Sequence, residues 1–234
     1  MGAIADVYRK TKKTPDLFWN TYVCRPPAAA VVYGLSQTRV TPNQITLAAF
    51  VLAVVASVLI VFAPGYWGVL LGVVVFESSY VLDCADGMLA RWRGIQSTRG
   101  HLLDFLMDEI KAFLILAAVS VRLFLDHADV RYLLLGIAGL VFVATGIAIT
   151  TFQRRPEIVQ PASPAVQPAP PRSLLLRAVA AAERVAKFVI HYPSYILYAA
   201  LLGRLELYFF PYIAVNALYA ARAWTSVALR FGRE

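Results

Sequence analysis

Carboxylates set inside apolar sequence constrain this chain more than any other feature. Residues 83–108 read DCADGMLARWRGIQSTRGHLLDFLMD, with Asp83, Asp86, Asp104 and Asp108 between long aliphatic runs. Hydrocarbon solvates a carboxylate poorly, so several close together mark a functional site. Asp83 and Asp86 are three apart and Asp104 and Asp108 four apart, intervals that place helical side chains on one face. At roughly 100° per residue, Asp83, Asp86, Gly87 and Ala90 share one stripe, and Gly100, Asp104 and Asp108 share another. The polar stretch RWRGIQSTR suits a turn between two antiparallel helices. Folding that hairpin brings the two pairs of carboxylates face to face, a cage for hard divalent cations. The duller reading is that the aspartates cap helices or pair with arginines. Only Arg91, Arg93 and Arg99 are near in sequence, and they sit at the turn. Carboxylates on facing stripes repel without counter-ions, and Mg²⁺ or Mn²⁺ prefers such oxygen ligands. The spacing predicts a metal site.

The order D-x-x-D-G-x-x-A-R, then eight residues, then G-x-x-x-D-x-x-x-D is filled by Asp83, Asp86, Gly87, Ala90, Arg91, Gly100, Asp104 and Asp108. It resembles the signature of the CDP-alcohol phosphotransferases, also called phosphatidyltransferases, integral-membrane enzymes of phospholipid synthesis. The resemblance implies transfer of a phosphatidyl or similar phospho-alcohol group from a CDP-alcohol, such as CDP-diacylglycerol, to an acceptor hydroxyl, with release of CMP. It implies that Asp83, Asp86, Asp104 and Asp108 hold two divalent cations, Mg²⁺ or Mn²⁺, and that Asp108 also serves as general base. Spacing alone does not separate Asp108 from Asp104 in that role. Asp83, Gly87, Ala90, Arg91 and Gly100 are the implied nucleotide contacts. Gly87 and Gly100 lack a Cβ, so a nucleotide could approach the helix backbones. Arg91, at the mouth of the hairpin, could grip a phosphate or snorkel to the interface. The signature reads only the CDP half: inositol or its phosphate, glycerol phosphate, serine and diacylglycerol are all acceptors within the family. Its members often form homodimers, and that assembly is the expectation here.

Composition points to the same class. The chain of 234 residues is 59% hydrophobic with a mean hydropathy of +0.64, far above a soluble domain. Its formal charge of +8 comes from basic residues in loops and at helix ends. In a membrane protein that indicates orientation and anionic lipid rather than nucleic acid. Cys24 and Cys84 are too few for a disulfide framework. Residues 1–16 have no apolar core behind a cleavage site and do not read as a signal peptide. A cation channel or transporter would explain intramembrane aspartates, but not Gly87, Ala90, Arg91 and Gly100 at these intervals.

Residues 1–40 read as a basic, mobile leader followed by an interfacial segment. In that segment Pro26-Pro27 could start a short helix ending near Gly34, lying along the interface with Trp19 and Tyr22 as anchors, the alternative being an ordinary loop. Residues 41–234 read as an all-α membrane domain of six transmembrane helices. Thr41-Pro42-Asn43 opens the first apolar run, at about 43–63; similar segments precede the first span in many members of the resembled family. Further spans are expected at about 66–91, 100–124 and 130–152, then from near Ala186, and at about 207–228. Glu77 points away from the cage, as a helix-contact group or an outer acceptor. Lys111 lies on the Asp104 stripe, placed to pair with a carboxylate or to hold an acceptor. Residues 154–172 form a proline-rich loop. The following helix carries Arg177, Arg184, Lys187 and His191 on one side, a stripe suited either to anionic lipid or to an anionic substrate. Six spans put both termini, the Arg91–Arg99 turn and the proline-rich loop on one side, which the basic residues mark as cytoplasmic.

Overall fold

The computed structural model describes residues 2–13, 16–155, 158 and 193–231, which are helical with no strand among them. In chain order the elements are α1 (Ala3–Thr11), a short π-helical turn (Asn20–Cys24), α2 (Arg25–Leu35), α3 (Pro42–Phe62), α4 (Gly65–Arg93), α5 (Thr98–His127) and α6 (Arg131–Gln153). After the residues outside the description come α7 (Pro193–Leu201) and α8 (Glu206–Phe231).

Local chemistry sets the boundaries that matter for the site. Thr41 caps α3 by accepting from the Gln44 backbone, and the Gln44 side chain accepts from Thr41 in return, with Pro42 in the first turn. That places the helix start where the Thr-Pro pair predicts it. Gly94 ends α4 in the left-handed conformation, φ 67°. The amide of Ile95 there donates to the Ala90 carbonyl at 3.0 Å. Ser97 then caps α5 by accepting from the Gly100 amide at 3.0 Å. Only residues 94–97 therefore separate α4 from α5, and the two signature halves come together as a tight hairpin.

Helices in hydrocarbon associate through close packing rather than hydrophobic exclusion, so small residues line the contacts. On α3, Ala49, Ala53, Ala56 and Ser57 are buried, and α4 comes close enough that a Cβ on Gly72 would lie 2.8 Å from Ile60. Gly136 and Gly139 of α6 behave as their spacing predicts. A Cβ on Gly136 would fall 1.9 Å from Ser120 Oγ, and one on Gly139 would fall 2.8 Å from Ile213. One apolar cluster runs through Ile60, Phe76, Ile115, Val119, Ile196 and Tyr208. A second gathers Val7, Ala28, Ala29, Val32, Ile45, Ala85 and Met88. Along α4 the first reaches Phe76 and the second begins at Ala85, so Asp83 stands where one gives way to the other.

α3, α4 and α6 are long and apolar enough to cross a membrane. α5 is 30 residues long and carries Asp104, Asp108, Glu109, Lys111 and Arg122, which lower its hydropathy. α8 has 26 residues. α7 supplies the described end of the expected fifth span, whose start lies outside the described residues together with Arg177, Arg184, Lys187 and His191.

Two features differ from expectation. The leader, expected to be mobile, forms α1, with Val7 and Thr11 buried; Val7 and Tyr8 pack into the cluster shared with α2 and α4, while Arg9, Lys10, Lys12 and Lys13 stay exposed. Trp19, expected as an interface anchor, is 8% exposed and meets the Tyr198 ring edge-on at 5.8 Å. Tyr22 is exposed. Asp16, beside Trp19's segment, forms a buried ion pair with Arg25. Burial pushes the Asp16 carboxyl up, but the Arg25 hydrogen bond and charge outweigh it and hold it below its ordinary value.

Candidate active site

The hairpin brings three of the four expected carboxylates together. One oxygen each from Asp83 on α4 and Asp104 and Asp108 on α5 lie within 4.8 Å of one another. Like charges about 5 Å apart repel by about 3 kcal/mol at an effective dielectric near 20, so such a trio calls for cations. Asp104 Oδ1 is buried and has no hydrogen-bond partner among the described residues.

Asp86 stands outside this trio. It is buried, and it accepts from the Thr46 hydroxyl of α3 and from the Gly87 amide. It lines a cavity of about 310 Å³ together with Gly87, Ala90, Gly100 and Asp104. The remaining wall comes from the start of α3 (Thr41, Pro42, Asn43, Thr46) and from Ile95, Gln96, Ser97 and His101. At Gly100 a Cβ would stand 3.1 Å from Ser97 Oγ and 3.2 Å from Asn43 Oδ1, so glycine keeps this wall open.

Arg91 is not among the residues that line the cavity. Its Nε donates to the Thr11 carbonyl at 2.7 Å, and its guanidinium passes Gly87, where a Cβ would lie 3.3 Å from Nη1. Arg93 turns the other way and donates to the carbonyls of Val40, Leu35 and Thr38 at 2.5, 2.7 and 2.9 Å. It thereby fixes the α2–α3 loop that delivers Thr41 and Asn43.

Lys111 adopts the pairing role. Its ammonium bridges Asp83 and Asp108, the latter at 2.7 Å, and the side chain is 2% exposed. Glu77, as expected, lies away from the carboxylates, beside Trp19. A second cavity, of about 540 Å³, opens on the adjoining face of α5 and is bounded by α6 and α8. Its lining includes the polar Asp108, Glu109, Arg154 and Asn216 and the apolar Phe105, Phe142, Val143 and Ile147.

The sequence pattern did not single out Thr46, Asn43, Ser97 or His101. Thr46 also donates to the Pro42 carbonyl four residues back, the ordinary habit of a helical threonine, so nothing local pointed to Asp86. Asn43 sits within the Thr-Pro-Asn opening, where it reads as part of a helix start.

The fold and the site together define a helical membrane protein with an acidic cluster at a helical hairpin beside a polar cavity. The family model described as CDP-alcohol phosphatidyltransferase matches residues 39–229, and the chain belongs to that family. Its reaction is the transfer of a phospho-alcohol group from a CDP-alcohol to an alcohol acceptor, and its members generally use divalent metal. No curated protein matches the chain.

Proposed function

We propose that this chain is a divalent-metal-dependent CDP-alcohol phosphotransferase of phospholipid synthesis, releasing CMP as it transfers the phospho-alcohol to a hydroxyl. The observation that carries the reading is the convergence of Asp83, Asp104 and Asp108 beside the cavity lined by Asp86, Gly87 and Gly100. The donors fit a hard cation: all are carboxylate oxygens, and buried Asp104 Oδ1 has no protein partner among the described residues. Asp83, Asp86, Asp104 and Asp108 would hold two Mg²⁺ or Mn²⁺ ions. When bound, these neutralise negative charge developing on the phosphates.

The protein's own groups do the rest. Gly87, Ala90 and Gly100 leave room for the diphosphate half of the donor, and Asn43, Ser97 and His101 offer it polar contacts. Asp108 reaches the second cavity, so an acceptor held there presents its hydroxyl to that carboxylate. Asp108 takes the hydroxyl proton as the acceptor oxygen bonds to phosphorus and the bond to the CMP oxygen breaks. Arg91, tied to Thr11, steadies the α4 end of the cavity instead of gripping a phosphate.

In this reading residues 41–234 form a six-span membrane domain, with α5 and α8 as spans beside α3, α4 and α6. Residues 1–40 pack on its cytoplasmic end, where the Arg93 clamp and the 94–97 turn also lie. Gln37 is exposed in the α2–α3 loop, so Gln37→Cys should react with an impermeant thiol reagent from the cytoplasmic side alone. The functional test uses detergent-purified protein with a panel of CDP-alcohols and acceptors. CMP release and product mass should require Mg²⁺ or Mn²⁺ and vanish in EDTA. Absence of CMP release across the panel, with ion flux in nucleotide-free liposomes, would overturn the reading in favour of a channel.

A further inference from the structure

Lys111 is a cation that the cluster carries within its own chain. It lies three residues after Asp108 on α5, so both side chains share a face, and its ammonium also reaches across to Asp83 on α4. It is 2% exposed, while the side chains it bridges are 10% and 42% exposed. It therefore sits behind the carboxylates, on the side away from solvent. Among the described residues that line the two cavities, Lys111 is not one. A substrate contact is thus a poor account of it. So is lipid snorkelling, because the ammonium ends on carboxylates rather than at an interface.

An ammonium this deep is tolerated only when paired, and two carboxylates this close are tolerated only when countered. Each condition meets the other. We propose that Lys111 is a positioning residue, a resident cation that clasps Asp83 to Asp108 and keeps the α4–α5 cluster assembled before any divalent ion arrives. Its charge also opposes the incoming ions, so the site binds them more weakly than its carboxylates alone would. The second statement rests on the reading of the cluster as a divalent-metal site; the first does not.

The experiment has two arms on the full chain in detergent. In EDTA, Lys111→Met should lower the unfolding midpoint by about 10 °C, because two carboxylates lose their shared partner. Adding Asp83→Asn to that variant should recover at least about half of the loss, and Lys111→Arg should lose little. A loss that Asp83→Asn leaves unchanged would make Lys111 a packing residue and overturn the clasp. If Lys111→Met fails to fold, recovery of folded protein by the added Asp83→Asn supports the clasp, and failure of both variants overturns it. In the second arm, Mn²⁺ is titrated by electron paramagnetic resonance without substrate, using wild type and Lys111→Met (or Lys111→Gln where Met does not fold). The variant should bind Mn²⁺ about tenfold more tightly; equal or weaker binding refutes the opposing charge. Wild-type protein that binds no Mn²⁺, together with the expected coupling in EDTA, would leave the clasp standing and remove the divalent-metal reading.

Discussion

Arg93 offers the sharpest test of how the cavity beside Asp86 and Asp104 is held. Its guanidinium donates to three carbonyls of the α2–α3 connection, those of Leu35, Thr38 and Val40. Hydrogen bonds from a charged donor are each worth about 1.5–3 kcal/mol when buried. The Val40 and Leu35 bonds are partly buried and the Thr38 bond is exposed, so the net worth is discounted to about 3 kcal/mol for the whole clamp. For a chain of this size that corresponds to a fall in unfolding midpoint of about 6–12 °C. Arg93→Ala should show it by circular dichroism or intrinsic fluorescence in detergent. Arg93→Lys should recover about a third, because one ammonium cannot reproduce a planar fork directed at three acceptors. The loop leads into Thr41 and Asn43 at the start of α3, so KM for the CDP-alcohol should rise several-fold while KM for the acceptor stays within about twofold. A midpoint within about 2 °C of wild type would refute the clamp, whatever the kinetics.

Asp83→Asn and Asp108→Asn should each reduce CMP release at saturating Mg²⁺ by at least about 100-fold while the helical circular-dichroism signal persists; near wild-type turnover by either would remove the carboxylates from the chemistry. Gly146 lines the second cavity, and a Cβ there meets open space. Gly146→Leu should therefore raise KM for the acceptor about tenfold without changing CMP inhibition, a pattern that an acceptor bound elsewhere would not produce. Asp16 has a folded pKa below its ordinary 3.8, so the Asp16–Arg25 pair contributes stability in full above about pH 4, and this contribution is lost as pH falls through the lowered folded value. Asp16→Asn should lower the midpoint at pH 7 and narrow the gap to wild type on acidification; a gap independent of pH would show that the charge is not what matters.

What could be read without a structure was what depends on neighbours a few residues apart. Thr41-Pro42 announces the start of α3 by local chemistry, and that end falls where the chemistry places it. The aspartates are legible for the same reason, since intervals of three and four fix a helix face before any packing is known. Contacts between helices depend on register and rotation, which no local pattern encodes. Thr46 meeting Asp86, Lys111 reaching Asp83, and Arg91 turning to Thr11 all belong to that kind. α1 was obscured differently: Arg9, Lys10, Lys12 and Lys13 dominate a short segment whose apolar stripe becomes visible only once α2 and α4 supply its partner.

The two cavities meet adjoining faces of α5, one touching Asp86 and Asp104 and the other Asp108. Two reactants admitted by separate doors need not take turns, and neither has to leave before the other arrives. In the proposed reading both are present at once, and the phospho-alcohol passes directly between them without resting on the protein. Initial-rate plots against one substrate at several levels of the other should therefore intersect rather than run parallel. A donor chiral at the transferred phosphorus should emerge with its handedness inverted.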